Sequence, residues 1–222
     1  MPETFYTIVD VFTRTLSGFL DAAVVTLQLT AVGIVLGCLL GLFFALLKLS
    51  KSKPLQLIAN IYITIIRGTP LIVQIVFLYY GIAEFVTLSN FQAGAIALGV
   101  HSGAYIAEIF RGAIQGIDKG QSEASSSLGM TKTQSMRRII FPQALKRSIP
   151  PLGNQFIITL KDSSLVYVIG VAELFSLANR EAAQSFKPFE TYVVVGLYYL
   201  VLVMIFTYLL HLYEKKLDVD KD

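Results

Sequence analysis

The sequence predicts an all-α integral membrane protein with five membrane-spanning helices, and three observations carry that prediction. Hydrophobic residues fill 55% of the 222 positions and charged residues only 15%, against roughly 25% charged in soluble domains; mean hydropathy is +0.65. The apolar residues fall in long blocks rather than in alternation or a narrow stripe, and about 20 of them make a spanning helix. The basic residues gather in two loops and the C-terminal tail. Residues 1–222 read as one transmembrane domain.

The first span is expected over about residues 21–47, with Gly33, Gly37 and Gly41 in a row that lets another helix approach closely. Cys38, the one cysteine, lies inside this run and reads as packing. Lys48, Lys51, Lys53 and Pro54 form a basic turn. The next apolar stretch, about 55–86, is too long for one straight span and is interrupted by Arg67-Gly68-Thr69-Pro70. Pro70 removes a backbone donor and disfavours helix at Thr69. Either this is one broken helix, or 55–66 lies along the interface and the span starts near Pro70. A third span covers about 91–110, and a polar stretch, 111–138, follows it. Pro150-Pro151 opens a fourth span at about 152–171, residues 172–188 hold a short helix, and the last span is about 189–212. The N-terminus, Met1-Pro2-Glu3, has no basic n-region, so the first span is expected to act as its own insertion signal.

Lys48, Lys51 and Lys53, then Lys119, Lys132, Arg137, Arg138, Lys146 and Arg147, then Lys215, Lys216 and Lys221 all fall on one side of a five-span arrangement. The other side has Arg14, Arg180 and Lys187. The positive-inside rule places the N-terminus outside and the C-terminus in the cytosol.

The cytosolic stretch of about 112–142 reads as two short helices hinged by glycine. The first runs from about 118 to 128, and Gly129 suits a left-handed C-terminal position. Thr131 with Gln134 three residues on is a capping-box pattern that announces the second. Composition alone also allows a plain solvated loop. Glu123-Ala124-Ser125, three residues, Gly129, nine residues, Ile139, one residue and Phe141-Pro142 resembles the EAA loop of ABC importer permeases. Ser125 stands where alanine is usual and Phe141 where leucine is. Arg67 to Gln74, Tyr105 to Gly112, Asn154-Gln155 and Lys161 to Leu165 are similar to polar amino-acid permeases, so the resemblance covers about residues 17–214. It implies a type I importer permease with a five-helix core and cytoplasmic coupling helices. It further implies a second permease copy, identical or a close paralogue, two ATPase subunits and an extracytoplasmic solute-binding protein. ATP and Mg would be bound by the ATPase, leaving this chain without a cofactor or a catalytic residue. The docking surface implied is Glu123, Ala124, Ser125, Leu128, Gly129, Ile139 and Pro142.

Ionisable residues inside a membrane cost about 2.5–3.5 kcal/mol each on insertion scales, so they are functional candidates. Asp162 lies about 11 residues past Pro151, on the order of 16 Å at 1.5 Å per residue, roughly half the hydrocarbon thickness. Gln155, Thr159 and Asp162 share one helical face, with Asn154 and Ser163 on the same element. Asp162 either faces solute or neutralises Arg67 or Lys161. On the second span Gln74, Phe77, Gly81 and Glu84 form a stripe ending in a carboxylate, which could instead simply face water. On the third, His101 and Tyr105 share a face with Glu108, which is placed to pair with Arg111. A packed role is the commoner one for His101. Arg67, Thr69 and helix N-termini suit a solute carboxylate, and Asp162 or Glu84 an ammonium. Two acids favour a basic amino acid; a neutral polar one such as glutamine is the alternative.

The chain has no phosphate-binding Gly-Lys-Ser/Thr loop, no His-rich metal motif and no nucleophile elbow. An intramembrane enzyme and a nucleic-acid binder are disfavoured. An ion-coupled transporter or channel is the rival from another class, and it would not need a dock over 123–142.

Overall fold

The computed structural model describes residues 2–219, with side chains over 6–216, so Met1 and Lys221 lie outside the described residues. Every described element is helical. In chain order they are α1 (Pro2–Leu49), α2 (Lys53–Gly68), α3 (Leu71–Val76, prolonged by a π turn, Phe77–Gly81) and α4 (Asn90–Gln115). Then come α5 (Lys119–Ser127), α6 (Lys132–Ser135, with a π turn at Met136–Ile140), α7 (Phe141–Asp162, prolonged by a 3-10 turn, Ser163–Ile169), α8 (Leu174–Ser185) and α9 (Pro188–Val219). By length and composition three helices can cross a membrane, or four if the bent pair α2–α3 is one span.

The centre of the fold is the pairing of α1 with α4. Gly33, Gly37 and Gly41 face Leu98, Ser102 and Ile106 in turn, so the two helices run in the same direction. A methyl group built on Gly41 would lie 2.5 Å from Ile106 Cγ2 and 3.0 Å from the Ala107 nitrogen, whereas one on Gly112 meets nothing within 4 Å. Gly41→Ala is therefore expected to destabilise the fold by about 1–3 kcal/mol, the range for an overpacked core. Gly112→Ala serves as the control, and thermal unfolding of the detergent-solubilised protein is the measurement; equal melting temperatures would refute the close approach.

A parallel pair requires the chain to return between its members, and α2–α3 makes that return. The two halves meet at 106°. Pro70 explains the bend: it has no N–H to bond the Ile66 carbonyl, and Gln74 Nε2 supplies that bond instead at 2.9 Å. The same amide donates to Thr69 O and Thr69 Oγ1. Α-helical geometry ends at Val76, however, and Glu84 lies exposed in the turn beyond the π segment. The stripe expected from Gln74 to Glu84 at helical spacing therefore does not exist as one face.

Two boundaries differ from the sequence reading. The first helix starts at Pro2, not near residue 21; its 48 residues measure about 72 Å at 1.5 Å each. Its N-terminal half is held by protein: Val11, Phe19, Ala22 and Ala23 bury against Leu174, Ala178, Val194 and Val195. Arg14 pairs with Glu181 at 2.5 Å. The second difference is α7, which starts at Phe141 and carries Pro150 and Pro151 inside it rather than ahead of it. It runs against α4, since Leu152 packs beside Ile106 and Thr159 Oγ1 shares a hydrogen bond with Ser102 Oγ. It also runs against α9, with Phe156 on Phe206 and Gly153 beside Leu210. The ends of α1, α4 and α9 and the start of α7 thus meet at one end of the bundle, which carries the basic loops.

Candidate functional site

The loop between α4 and α7 is a compact two-helix hairpin. Asp118 caps α5, its Oδ1 accepting from the Gly120 N–H at 2.6 Å. The helix ends in a Schellman arrangement: the Gly129 N–H donates to Ser126 O and the Met130 N–H to Ser125 O. Gly129 has φ 76, the left-handed conformation that glycine adopts at little cost. Thr131 and Gln134 form the expected capping box at the start of α6. Ser125 is buried, and its hydroxyl lies 2.6 Å from that of Ser135. That bond ties α5 to α6 and gives a reason for serine where the EAA pattern has alanine. Sequence reasoning missed Ser135, because nothing marks a pair ten residues apart. Arg147 on α7 donates to the Gly116 carbonyl and clamps the loop base. Glu123, Ala124, Leu128, Gly129 and Pro142 are exposed, and Ile139 is half-buried.

The residues expected to meet solute separate into three groups. Around the α2–α3 bend, the Arg67 guanidinium lies over the Tyr105 ring at 5.1 Å. His101 Nδ1 is 3.2 Å from Gln74 Oε1 and its ring is 5.2 Å from that of Tyr105. Arg67 and Tyr105 line a cavity of about 490 Å³ together with Thr64, Lys48 and Glu108. Glu108 binds Lys48 at 2.6 Å and Arg111 at 2.7 Å, so both its oxygens are occupied. The Glu108–Arg111 pair was legible from its spacing; Lys48 was not, because it comes from another helix. Gln74 and Thr69 spend their donors on the bend itself.

The second group is the seam between α7 and α4. Gln155 and Thr159 are buried there, and Ser163 is buried with its hydroxyl donated to Leu160 O. Asn154 lies on the opposite, exposed face of α7.

The third is the end of α7. Asp162 is half-buried, and among the described residues its carboxylate has neither a hydrogen bond nor an ion pair within 4 Å. Its neighbours Lys161 and Ser164 line a cavity of about 560 Å³ walled by Phe175, Tyr192 and Tyr199.

Glu173, which sequence reasoning passed over, organises that wall. It is fully buried; its Oε1 accepts from the Ser176 N–H at 2.6 Å. Oε2 accepts from the Phe175 N–H at 2.9 Å and from the Tyr199 hydroxyl at 2.8 Å. Burial pushes its carboxyl above the usual range, against these three bonds, which favour the ionised form. The next residue, Leu174, donates its N–H to Thr26 Oγ1, joining α8 to α1.

Comparison with known proteins is consistent across the chain. Residues 33–219 match the family described as "Binding-protein-dependent transport system inner membrane component". The chain is 42% identical over 186 residues to the probable amino-acid ABC transporter permease protein PatM of Vibrio harveyi, covering 82% of this chain and 83% of PatM. It is 35% identical over 203 residues to the glutamine transport system permease protein GlnP of Escherichia coli K12, covering 90% and 93%. Among solved structures it resembles a chain described as "Crystal structure of an amino acid ABC transporter with histidines". That match has a TM-score of 0.87 and 43% identity over 92% of this chain and 96% of the other.

Proposed function

The chain belongs to the family of binding-protein-dependent transport system inner membrane components, and from that premise we propose that it is the membrane-spanning subunit of an amino-acid importer. It is a single permease domain that pairs with a second permease, docks two ATPase subunits in the cytosol and receives solute from an extracytoplasmic binding protein. The observation that carries this reading is the hairpin at 119–140, whose Schellman turn, capping box and serine pair tie its helices together by hydrogen bonds and leave Glu123, Leu128 and Gly129 facing outward. A solvated linker needs no such construction.

The run of the helices supports five crossings: α1, the bent α2–α3 pair, α4, α7 with its 3-10 turn, and α9. Parallel α1 and α4 with antiparallel α7 and α9 put the hairpin and the basic loops at one end, the cytosolic end by the positive-inside rule. The N-terminus then lies outside and the C-terminus inside. α7 is the crossing that composition hides, because Lys146, Arg147, Lys161 and Asp162 lie along it.

For the solute we favour a basic amino acid. The Asp162 carboxylate, with the Lys161 charge nearby but no ion pair within 4 Å among the described residues, is an acceptor for a cationic group, and Arg67 beside Tyr105 is a donor for a carboxylate. The likeness to GlnP supports the neutral alternative, a solute such as glutamine. The deciding measurement is ATP hydrolysis by the reconstituted complex, with its binding protein, against arginine, lysine, histidine and glutamine. Stimulation by glutamine alone would sink the basic assignment. Transport driven by an ion gradient without ATPase subunits would sink the importer itself.

A further inference from the structure

The corner between α8 and α9 carries two features that are unfavourable in water. Phe186 ends α8 with φ 56, in the left-handed region where a bulky residue is an outlier and glycine is the usual occupant. Phe186 is 88% exposed, and Phe189, three residues on and in the first turn of α9, is 64% exposed. A glycine at 186 would relieve both the backbone and the exposed ring.

The position of the corner identifies what covers it. α9 starts at Pro188, and only 11% of its most apolar window is buried within the protein. Phe189 heads an exposed stripe that continues at helical spacing through Leu197, Leu200, Met204 and Tyr208. Between Glu190 and Glu214 no Asp, Glu, Lys or Arg occurs. That stretch is about 34 Å long at 1.5 Å per residue, close to the roughly 30 Å of bilayer hydrocarbon. Phe186 and Phe189 thus sit where α9 leaves the hydrocarbon. Phe85, 84% exposed in the turn before α4, belongs to the same end, because Asn90 of α4 donates to the Gly170 carbonyl ahead of α8.

We propose that the α8–α9 corner is an interfacial anchor, with the Phe186 and Phe189 rings inserted at the boundary between lipid headgroups and acyl chains. The insertion rests on the membrane placement of α9; that the leaflet is the outer one rests on the orientation proposed above. Anchoring the corner holds α8 at a set depth and, through Phe175 and Glu173, the wall of the cavity beside Asp162.

The chain contains no tryptophan, so Phe186→Trp introduces a single fluorescent reporter, and Phe189→Trp introduces a second inside regular helix. Each full-length variant is placed in nanodiscs of phosphatidylcholine brominated at shallow or deep acyl positions. Emission is expected to be blue-shifted from that of tryptophan amide in buffer, with stronger quenching by the shallow bromines and little by aqueous iodide. Water-like emission with iodide quenching and no bromine effect at both positions would overturn the anchor. So would emission that shifts only when a soluble extracytoplasmic binding protein is added, which would make the corner a protein-docking surface.

Discussion

Gly129→Asp is expected to strip the ATPase subunits from the permease while leaving the helical bundle folded. Gly129 occupies the left-handed turn between the two hairpin helices, and a Cβ there meets no atom within 4 Å. The cost of a side chain is therefore a backbone cost, about 1–2 kcal/mol in the left-handed region, and least for aspartate and asparagine. Asparagine and aspartate share that cost, so they separate conformation from charge. Beside Gly129 stands Leu128, 80% exposed, an apolar side chain suited to entering a cleft on a partner. A carboxylate next to it would have to be desolvated on docking, which costs well over 1 kcal/mol unless it is paired. Gly129→Asn should keep most of the ATPase in affinity pull-downs from solubilised membranes, and Gly129→Asp should lose at least about tenfold, the factor carried by 1.4 kcal/mol. Equal retention by both variants would refute docking at this turn.

The same hairpin shows why some of the structure was legible in the sequence. Its determinants are local: a capping box four residues long, a glycine at a helix end, a fixed spacing of glutamate, glycine and proline. The bend at Pro70 was legible for the same reason, since a missing N–H is a property of one residue. What escaped is settled between distant segments. Asp10, Arg14 and Asp21 depress hydropathy over the first half of α1, so the sequence shows only its charge-free part. The helix nevertheless continues, because Arg14 meets Glu181 and the Phe19 ring stacks on Tyr198 at 5.1 Å. Hydropathy reports contact with lipid, and helix continuity is a different property. Likewise, Gln155, Thr159 and Asp162 share a helical face by spacing, yet two of them turn into the α4 seam because Ser102 offers Thr159 a partner. The candidate acids also differ in standing: Glu84 is exposed outside any helix, whereas Asp162 is half-buried without a counter-charge bound to it.

That difference sets the size of the effect expected at each acid. Asp162→Asn preserves shape and removes one charge from a half-buried position that accepts no hydrogen bond among the described residues. If its carboxylate receives the cationic end of the solute, the bond lost is charge-assisted, worth about 1.5–3 kcal/mol, or roughly tenfold to a hundredfold in apparent affinity. Uptake of arginine into vesicles should fall by that factor through KM, while glutamine, which brings no cation on its side chain, should lose far less. Glu84→Gln should change arginine uptake by less than about threefold, the scale of an exposed charge pair. An equal loss for both solutes in Asp162→Asn would end the side-chain assignment: the carboxylate then either receives the α-ammonium that both solutes carry or acts through the 3-10 turn that follows it. No loss for either would remove it from the translocation path and leave Arg67 and Tyr105, with Lys48 and Glu108, as the polar residues to pursue.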